Sequence, residues 1–146
     1  DIGNTMEKQF KGGEYPIEKY FDFVTIHAIM GQKSAENLKS ENTSLLVVTD
    51  MSTTDNLMNA QYRGSALGIT KSLQPYASGI VSQQNLCNEL LTFTPGIGVN
   101  SKEDGKGQKY NTPYTAYTKG TVFLIVGRSI YEAPDPLKII NELKSV

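Results

Sequence analysis

Two stretches near the end of the chain decide the fold: TPGIGVNSKEDGKGQKY at residues 94–110 and GRSIY at residues 127–131. Each is a loop with glycine that directly follows a short apolar run. Glycine lets a backbone turn sharply and approach a ligand closely. The two loops therefore place candidate binding residues at the ends of two candidate strands.

Five apolar, β-branched runs occur along the chain, and most of them lack polar alternation. Such runs are typical of strands buried on both faces, which indicates a parallel sheet covered by helices. The predicted strands are residues 23–28, 44–50, 78–82, 90–95 and 121–127. The predicted helices between them are residues 5–10, 17–20, 32–38, 55–74, 85–90, 113–118 and 136–144.

A repeating βα pattern allows either a doubly wound sheet or a barrel. Five strands in 146 residues give roughly one βα unit per 29 residues, close to the spacing of an eightfold βα barrel of about 250 residues. In such barrels the loops after strands seven and eight often hold a substrate phosphate, helped by a helix N-terminus. Counted back from the last residue, the two quoted loops take those places, which favours an α/β barrel of which the chain supplies five units.

The composition narrows the class of protein. The chain has 38% hydrophobic and 20% charged residues, enough for one packed domain over residues 1–146. Its formal net charge is -1, with 14 basic and 15 acidic residues, so nucleic acid is not an expected partner. One cysteine, no signal-peptide pattern and no apolar run of about 18 residues predict a cytoplasmic protein without a membrane partner.

Gly127 and Arg128 end the last apolar run. In a parallel barrel the active site lies at this end of the strands. The Arg128 guanidinium has a planar fork that matches phosphate oxygens, and Gly127 would let the backbone approach an anion. The alternative is a turn that ends a strand and carries a solvated arginine.

The long loop of residues 95–110 contains four glycines and ends in Gln108 and Tyr110. A glycine-rich loop alone is a weak signal. The uncharged donors Gln108 and Tyr110 make it a better candidate for anion binding. The alternative is an ordinary surface loop.

The segment VVTDMSTTDNL, residues 47–57, joins a strand to a helix through polar residues. Ser52 lies just past the strand and could hydrogen-bond an amide edge of a ligand. Ser52, Thr53, Thr54 or Asp55 could equally cap the helix that follows. From these residues alone, capping is favoured.

His27 and Cys87 carry little functional signal. His27 lies in an apolar strand, and no spacing of His, Cys or Asp suggests a metal site. The chain also lacks a Gly-x-Ser-x-Gly motif, a Cys/His pair and a Walker loop. Metal and covalent chemistry are therefore disfavoured.

Five motifs together resemble the orotidine 5'-monophosphate decarboxylase family: DIGNT (1–5), TDMSTTDNL (49–57), TPGIGV (94–99), GKGQKY (105–110) and IVGRSIY (125–131). The resemblance implies a (β/α)8 barrel and decarboxylation of orotidine 5'-monophosphate to uridine 5'-monophosphate, the last step of pyrimidine biosynthesis. It also implies a homodimer with active sites at the interface, and no metal or organic cofactor.

The resemblance assigns roles to individual residues. Asp1 resembles the catalytic aspartate that crosses the dimer interface, with Ile2 and Thr5 beside it. Ser52 matches the serine that binds the pyrimidine, and Pro95 matches the proline of the base pocket. The phosphate grip corresponds to Gln108, Tyr110, Arg128 and the Gly127 amide.

In the family an Asp-x-Lys motif directly precedes the stretch that matches DIGNT, and its lysine protonates the carbon that loses carbon dioxide. The chain starts at Asp1, so we expect it to be a C-terminal portion that is inactive alone. Thr49-Asp50 stands where Ala-Glu is common, and Lys109 stands where another Gln is frequent. Two alternatives stay open: another phosphate-binding barrel lyase or synthase, and a non-catalytic nucleotide-binding half-barrel.

Overall fold

The computed structural model describes residues 1–99 and 110–145, in which five strands alternate with helices. The strands are β1 (Phe23–His27), β2 (Ser44–Val48), β3 (Ala77–Val81), β4 (Leu91–Thr94) and β5 (Phe123–Leu124). The α-helices are α1 (Gly3–Lys11), α2 (Gln32–Glu36), α3 (Ala60–Ser72), α4 (Pro113–Thr118), α5 (Arg128–Tyr131) and α6 (Pro136–Lys144), with 3-10 turns at Ile17–Lys19 and Ala28–Met30. The predicted alternation of strands and helices is confirmed.

The chain divides into two compact units. Unit 1 contains residues 1–49 and 58–81, and unit 2 contains residues 50–57 and 82–146. No helix in the described ranges has the length and apolar character needed to cross a membrane.

Unit 1 is built on three parallel strands. β1 pairs with β2, for example Ile26 with Val47, and β2 pairs with β3, for example Val47 with Ile80. Parallel strands need crossover connections, and α2 and α3 lie in those connections along the chain. This is the βα arrangement that the apolar runs predict.

The core of unit 1 lies between its sheet and its helices. Strand residues supply one side of the core and helix residues supply the other, and together they exclude water from aliphatic surface, which is the main favourable term in folding. The strand members are Ile26, Leu45, Val47 and Ala77; the helix and turn members include Phe10, Ala28, Ala35, Leu38, Ala66 and Leu73.

Helix α3 begins later than the sequence predicts. The expected helix of residues 55–74 starts in the structure at Ala60, because the Asn59 side chain caps it by accepting a hydrogen bond from the Tyr62 amide at 2.9 Å. Residues 50–57 form a separate loop in unit 2. The prediction that Ser52 or one of its neighbours caps this helix is therefore wrong.

Unit 2 pairs β4 with β5 in parallel. Phe93 and Phe123 are register partners, and their rings stack with centroids 4.6 Å apart. The predicted strand of residues 121–127 is shortened to Phe123–Leu124, and both residues are exposed. The expectation of a strand buried on both faces is wrong for β5.

The predicted helix at residues 85–90 does not form. Instead the Asn85 side chain accepts from the Cys87 amide at 2.7 Å and donates to the Asn88 side chain at 3.0 Å. Asparagine commonly satisfies nearby backbone groups in this way, which competes with helix formation. The segment is a turn.

Helices α4 and α6 begin and end where the sequence predicts. Thr112 caps α4 and Asp135 caps α6, and in each helix a proline follows the cap directly. Proline suits the first helical position because its fixed φ angle is helical and its missing amide proton has no partner there.

Candidate functional site

The structure brings Arg128 and Tyr110 together in unit 2. Arg128 is the first residue of α5, directly after Gly127, whose carbonyl accepts from the Ile130 amide at 2.8 Å. The guanidinium carbon of Arg128 lies 5.9 Å from the centre of the Tyr110 ring. Two of the predicted phosphate-binding residues, which are 18 positions apart in sequence, thus share one place in the fold.

The contact between Arg128 and Tyr110 has the geometry of a cation–π interaction. At such a distance it contributes about 0.5–1 kcal/mol. Its main effect is on orientation, since a ring face beside a guanidinium restricts the rotation of a long, flexible side chain. Arg128 is half-buried, so its position is set by packing as well as by charge.

The two sides of the loop that starts at Pro95 meet in a backbone stem. Ile97 forms a parallel bridge with Asn111. The Asn111 amide donates to the Gly96 carbonyl at 2.8 Å, and the Gly98 amide donates to the Asn111 carbonyl at 3.0 Å. Tyr110 is thereby held next to a paired residue.

Gly96 is required in this stem for a conformational reason. Its φ angle is +73°, in the left-handed region that residues with a Cβ adopt only under strain. The glycine-rich character of the loop therefore has a structural cause at this position, independent of any ligand.

Helix α5 is tied to the same stem. The Ser129 hydroxyl donates to the Ile97 carbonyl at 3.3 Å. Since Ser129 directly follows Arg128, this bond joins the segment that carries the guanidinium to the segment that leads to Tyr110.

Pro95 directly follows β4 and is half-buried. Its carbonyl accepts from the Gln83 side chain at 3.4 Å. Pro95 belongs to the same compact unit as Tyr110 and Arg128.

Ser52 lies in the loop of residues 50–57, which follows β2 in the chain and belongs to unit 2. The loop is held internally: the Asn56 amide group donates to the Thr53 carbonyl at 2.7 Å and to the Met51 carbonyl at 3.5 Å. Because Asn59 caps α3, Ser52 does not cap that helix.

Asp1, Ile2 and Thr5 belong to unit 1. Asp1 is exposed, and its carboxylate accepts from the Ile2 amide at 3.0 Å. The Ile2 side chain is 68% exposed, and its carbonyl accepts from the Thr5 amide at the start of α1. Gln108, the remaining predicted residue, lies outside the described residues.

Sequence reasoning missed Gln83, Asn111 and Ser129. Gln83 lies two residues beyond β3, at the end of the strand where a parallel barrel places its active site, so its position was an available signal. The roles of Asn111 and Ser129 depend on contacts between distant segments and had no local signal.

Unit 2 also contains a groove whose lining includes none of the residues assigned to the phosphate. Its volume is about 560 Å³. Its lining comes from α4, the segment around β5 and α6: Pro113, Tyr114, Tyr117, Thr121, Val122, Leu124 and Leu143. None of these residues was predicted to contact a ligand.

Comparison with known proteins gives one consistent result. The family model described as "Orotidine 5'-phosphate decarboxylase / HUMPS family" matches residues 1–143. Orotidine 5'-phosphate decarboxylase of Debaryomyces hansenii is 31% identical over 149 residues, which cover 93% of this chain and 56% of that protein. The enzyme of Candida albicans is 32% identical over 145 residues, covering 90% of this chain and 54% of that protein. The chain thus spans about half the length of the curated relatives it matches.

The solved structures agree on the fold. Orotidine 5'-monophosphate decarboxylase of Sulfolobus solfataricus superimposes with a TM-score of 0.73 at 19% identity, covering 99% of this chain and 68% of that one. This likeness confirms the predicted fold class, an α/β fold that forms part of an eightfold βα barrel.

Proposed function

The chain belongs to the orotidine 5'-phosphate decarboxylase / HUMPS family, and on that premise we propose that its protein decarboxylates orotidine 5'-monophosphate to uridine 5'-monophosphate. The observation that carries this proposal is the contact between Arg128 and Tyr110 at the end of the last βα unit. A phosphate at this place would accept from the guanidinium fork and from the phenol.

The phosphate grip supplies binding energy away from the reacting carbon. Each charge-assisted hydrogen bond to the phosphate is worth about 1.5–3 kcal/mol. Binding energy from a remote group can be expressed in the transition state when it holds the substrate in the reactive position. In this proposal Tyr110, Arg128 and the Gly127 amide hold the phosphate, and Gln108 joins them.

Ser52 and Pro95 are assigned to the pyrimidine. Ser52 would hydrogen-bond the amide edge of the ring, and Pro95 would pack against the base. Two facts support this assignment: Ser52 is not used as a helix cap, and Pro95 is fixed at the end of β4 by Gln83.

Catalysis breaks the bond between the ring and the carboxylate, releases carbon dioxide and leaves a carbanion in the ring plane. A lysine ammonium next to carboxylates stabilises the carbanion and then protonates it. Asp1 is proposed to belong to this charged group. The chemistry needs neither a metal nor an organic cofactor, since the proton donor is a side chain.

Asp1 is further proposed to reach the active site of a partner subunit, so that the enzyme works as a homodimer in the cytoplasm. This role is the one that the resemblance of DIGNT, residues 1–5, to the family implies. Residues 1–146 are proposed to be the C-terminal portion of one barrel domain.

The test uses the full-length natural protein and the substitution Arg128→Ala. We expect affinity for uridine 5'-monophosphate to fall by tenfold or more, on the order of one charge-assisted hydrogen bond, while affinity for uridine stays the same. Calorimetric titration measures both affinities. Turnover is followed by the loss of orotidine 5'-monophosphate absorbance.

The control is Lys138→Ala, which removes an exposed positive charge from α6. Equal losses for the nucleotide and the nucleoside would remove Arg128 from the phosphate site. Tight nucleotide binding by an unsubstituted protein with no loss of carbon dioxide would favour the alternative of another phosphate-binding barrel enzyme or a non-catalytic binding module.

A further inference from the structure

A row of side-chain hydrogen bonds runs beside the stem of the loop that starts at Pro95. The Lys119 ammonium donates to the Asn111 side-chain oxygen at 3.4 Å. The Asn111 amide nitrogen donates to the Gln83 side-chain oxygen at 2.9 Å, and the Gln83 amide nitrogen donates to the Pro95 carbonyl at 3.4 Å. All four residues belong to unit 2.

The direction of these bonds follows from the chemistry at the two ends. An ammonium can only donate and a backbone carbonyl can only accept. The Asn111 side-chain oxygen must therefore face Lys119, and this places the Asn111 side-chain nitrogen toward Gln83. The Gln83 side-chain nitrogen must in turn face the Pro95 carbonyl. Every donor and acceptor in the row has one compatible orientation.

Gln83 is the residue that joins both sides of the stem. It contacts Pro95, which leads into the loop, and Asn111, which leads out of it. The backbone of Asn111 is itself paired with Gly96 and Gly98. Through these contacts one side chain from the end of β3 acts on both strands of the stem.

The stem sets the position of Tyr110. Tyr110 precedes Asn111 directly, and its ring lies against Arg128. A shift of Asn111 would move the ring relative to the guanidinium, because one peptide bond is too short to absorb the displacement.

We propose that Gln83 is a positioning residue for the phosphate grip: its side-chain amide holds Pro95 and Asn111 together and so places Tyr110 beside Arg128. This inference rests on the proposed function for the identity of the ligand. Gln83 itself does not touch the phosphate, so its effect is transmitted through the stem.

The experiment compares Gln83→Glu with Gln84→Ala in the full-length natural protein. Gln83→Glu keeps the size of the side chain but removes the donor to the Pro95 carbonyl. Gln84 is the adjacent glutamine and is exposed, so Gln84→Ala controls for a change in the same turn. A second variant, Asn111→Asp, removes the donor to Gln83 and keeps the acceptor for Lys119.

Two readouts are needed. Hydrogen exchange at the Gly98 and Asn111 amides reports on the stem, and we expect both Gln83→Glu and Asn111→Asp to accelerate it about fivefold or more, as expected for one lost hydrogen bond. The ratio of affinities for uridine 5'-monophosphate and uridine reports on the phosphate grip, and we expect it to fall about tenfold, with uridine affinity unchanged. Gln84→Ala should change neither quantity.

The outcomes are separable. Faster exchange with an unchanged affinity ratio would make Gln83 a purely structural residue and overturn the positioning role, and unchanged exchange would overturn the contact itself. If the unsubstituted protein does not prefer the nucleotide to the nucleoside, the proposed function is wrong, and the positioning of a phosphate grip is overturned with it. If one variant does not fold, the other decides.

Discussion

Strand β2 of unit 1 and strand β4 of unit 2 are buried by different means. β2 fills the interior with aliphatic side chains, Leu45, Leu46, Val47 and Val48. In β4 the buried residues are Thr92 and Thr94. Aliphatic packing is non-directional, whereas a buried hydroxyl needs a partner in one direction.

The difference shows which kind of interaction fixes the positions of side chains in each unit. The core of unit 1 is stabilised mainly by aliphatic area removed from water, although the buried Thr43 and Thr70 hydroxyls also donate to backbone carbonyls there. In unit 2 the Thr94 hydroxyl makes directional hydrogen bonds with Ser82 and Thr121, and the same unit contains Tyr110 and Arg128. A binding site that must hold a phosphate to within fractions of an ångström is suited to the second kind of support.

The largest expected effect tests the aliphatic side of this comparison. Leu45 is completely buried in unit 1, so Leu45→Ala should lower the free energy of unfolding by about 2–5 kcal/mol through the lost transfer energy and the cavity. Urea denaturation measures the change. The control is Leu57→Ala, the same substitution at a side chain that is 93% exposed, which should stay within about 0.5 kcal/mol.

The next largest effect tests the contribution of buried hydroxyl hydrogen bonds in β4. The Thr94 hydroxyl donates to the Ser82 carbonyl at 2.8 Å and therefore accepts from the Thr121 hydroxyl at 2.7 Å. Thr94→Val keeps the shape and leaves both partners unpaired, so we expect a loss of about 1–3 kcal/mol in unfolding free energy.

Thr92→Val is the matched control on the same face of β4. The Thr92 hydroxyl is buried, and the described residues offer it no hydrogen-bond partner. The substitution should be neutral or stabilising, because it removes a buried polar group that gains nothing. Equal losses for Thr92→Val and Thr94→Val would contradict the directional account of unit 2.

A smaller effect on the free energy of unfolding tests where α3 begins. Asn59→Ala removes the cap and should cost about 1 kcal/mol of unfolding free energy. Asp55→Ala, at the position where the sequence predicts the helix to begin, should leave the free energy unchanged. The reverse result would mean that the helix starts near residue 55.

The smallest effect is expected on the surface of unit 2. Lys138 and Glu142 lie 4.0 Å apart on α6, with side chains 70% and 41% exposed. Lys138→Ala should lower the unfolding free energy by less than about 0.5 kcal/mol, because solvent and salt screen such pairs. A loss larger than the one measured for Thr94→Val would show that charge contributes more to unit 2 than hydroxyl bonding does.

The fold was predictable from the sequence wherever local chemistry decides it. Apolar β-branched runs placed all five strands, and the helices predicted at residues 113–118 and 136–144 match α4 and α6 to the residue. The helix predicted at residues 85–90 failed because the Asn85 side chain satisfies the backbone in another way. The predicted extent of β5 was wrong because hydrophobicity indicates a tendency to be buried. It carries no information about which neighbouring segments would cover the strand.

The site was predictable only in part. The sequence selects Arg128 by its place after the last apolar run and Tyr110 by its place at the end of a glycine-rich loop, and the structure brings the two together. Their binding of a phosphate stays a prediction. Gln83 was missed although its place two residues beyond β3 was an available signal, whereas its contact with Asn111, 28 positions away, had none. A side-chain amide that is specified only by such contacts leaves no periodic or motif signal. Gln108 lies outside the described residues and stays a prediction.

The stacked rings of Phe93 and Phe123 have a consequence for the arginine that follows them. β5 has only two paired residues, so backbone bonding alone gives little resistance to sliding along β4. A slip of one residue would turn Phe123 to the opposite face and separate it from Phe93, since side chains alternate along a strand. It would also carry the chain beyond β5 forward by about 3.3 Å, more than the length of a hydrogen bond. The aromatic pair thus fixes the register of β5 on β4, and with it the starting point of the segment that leads to Arg128.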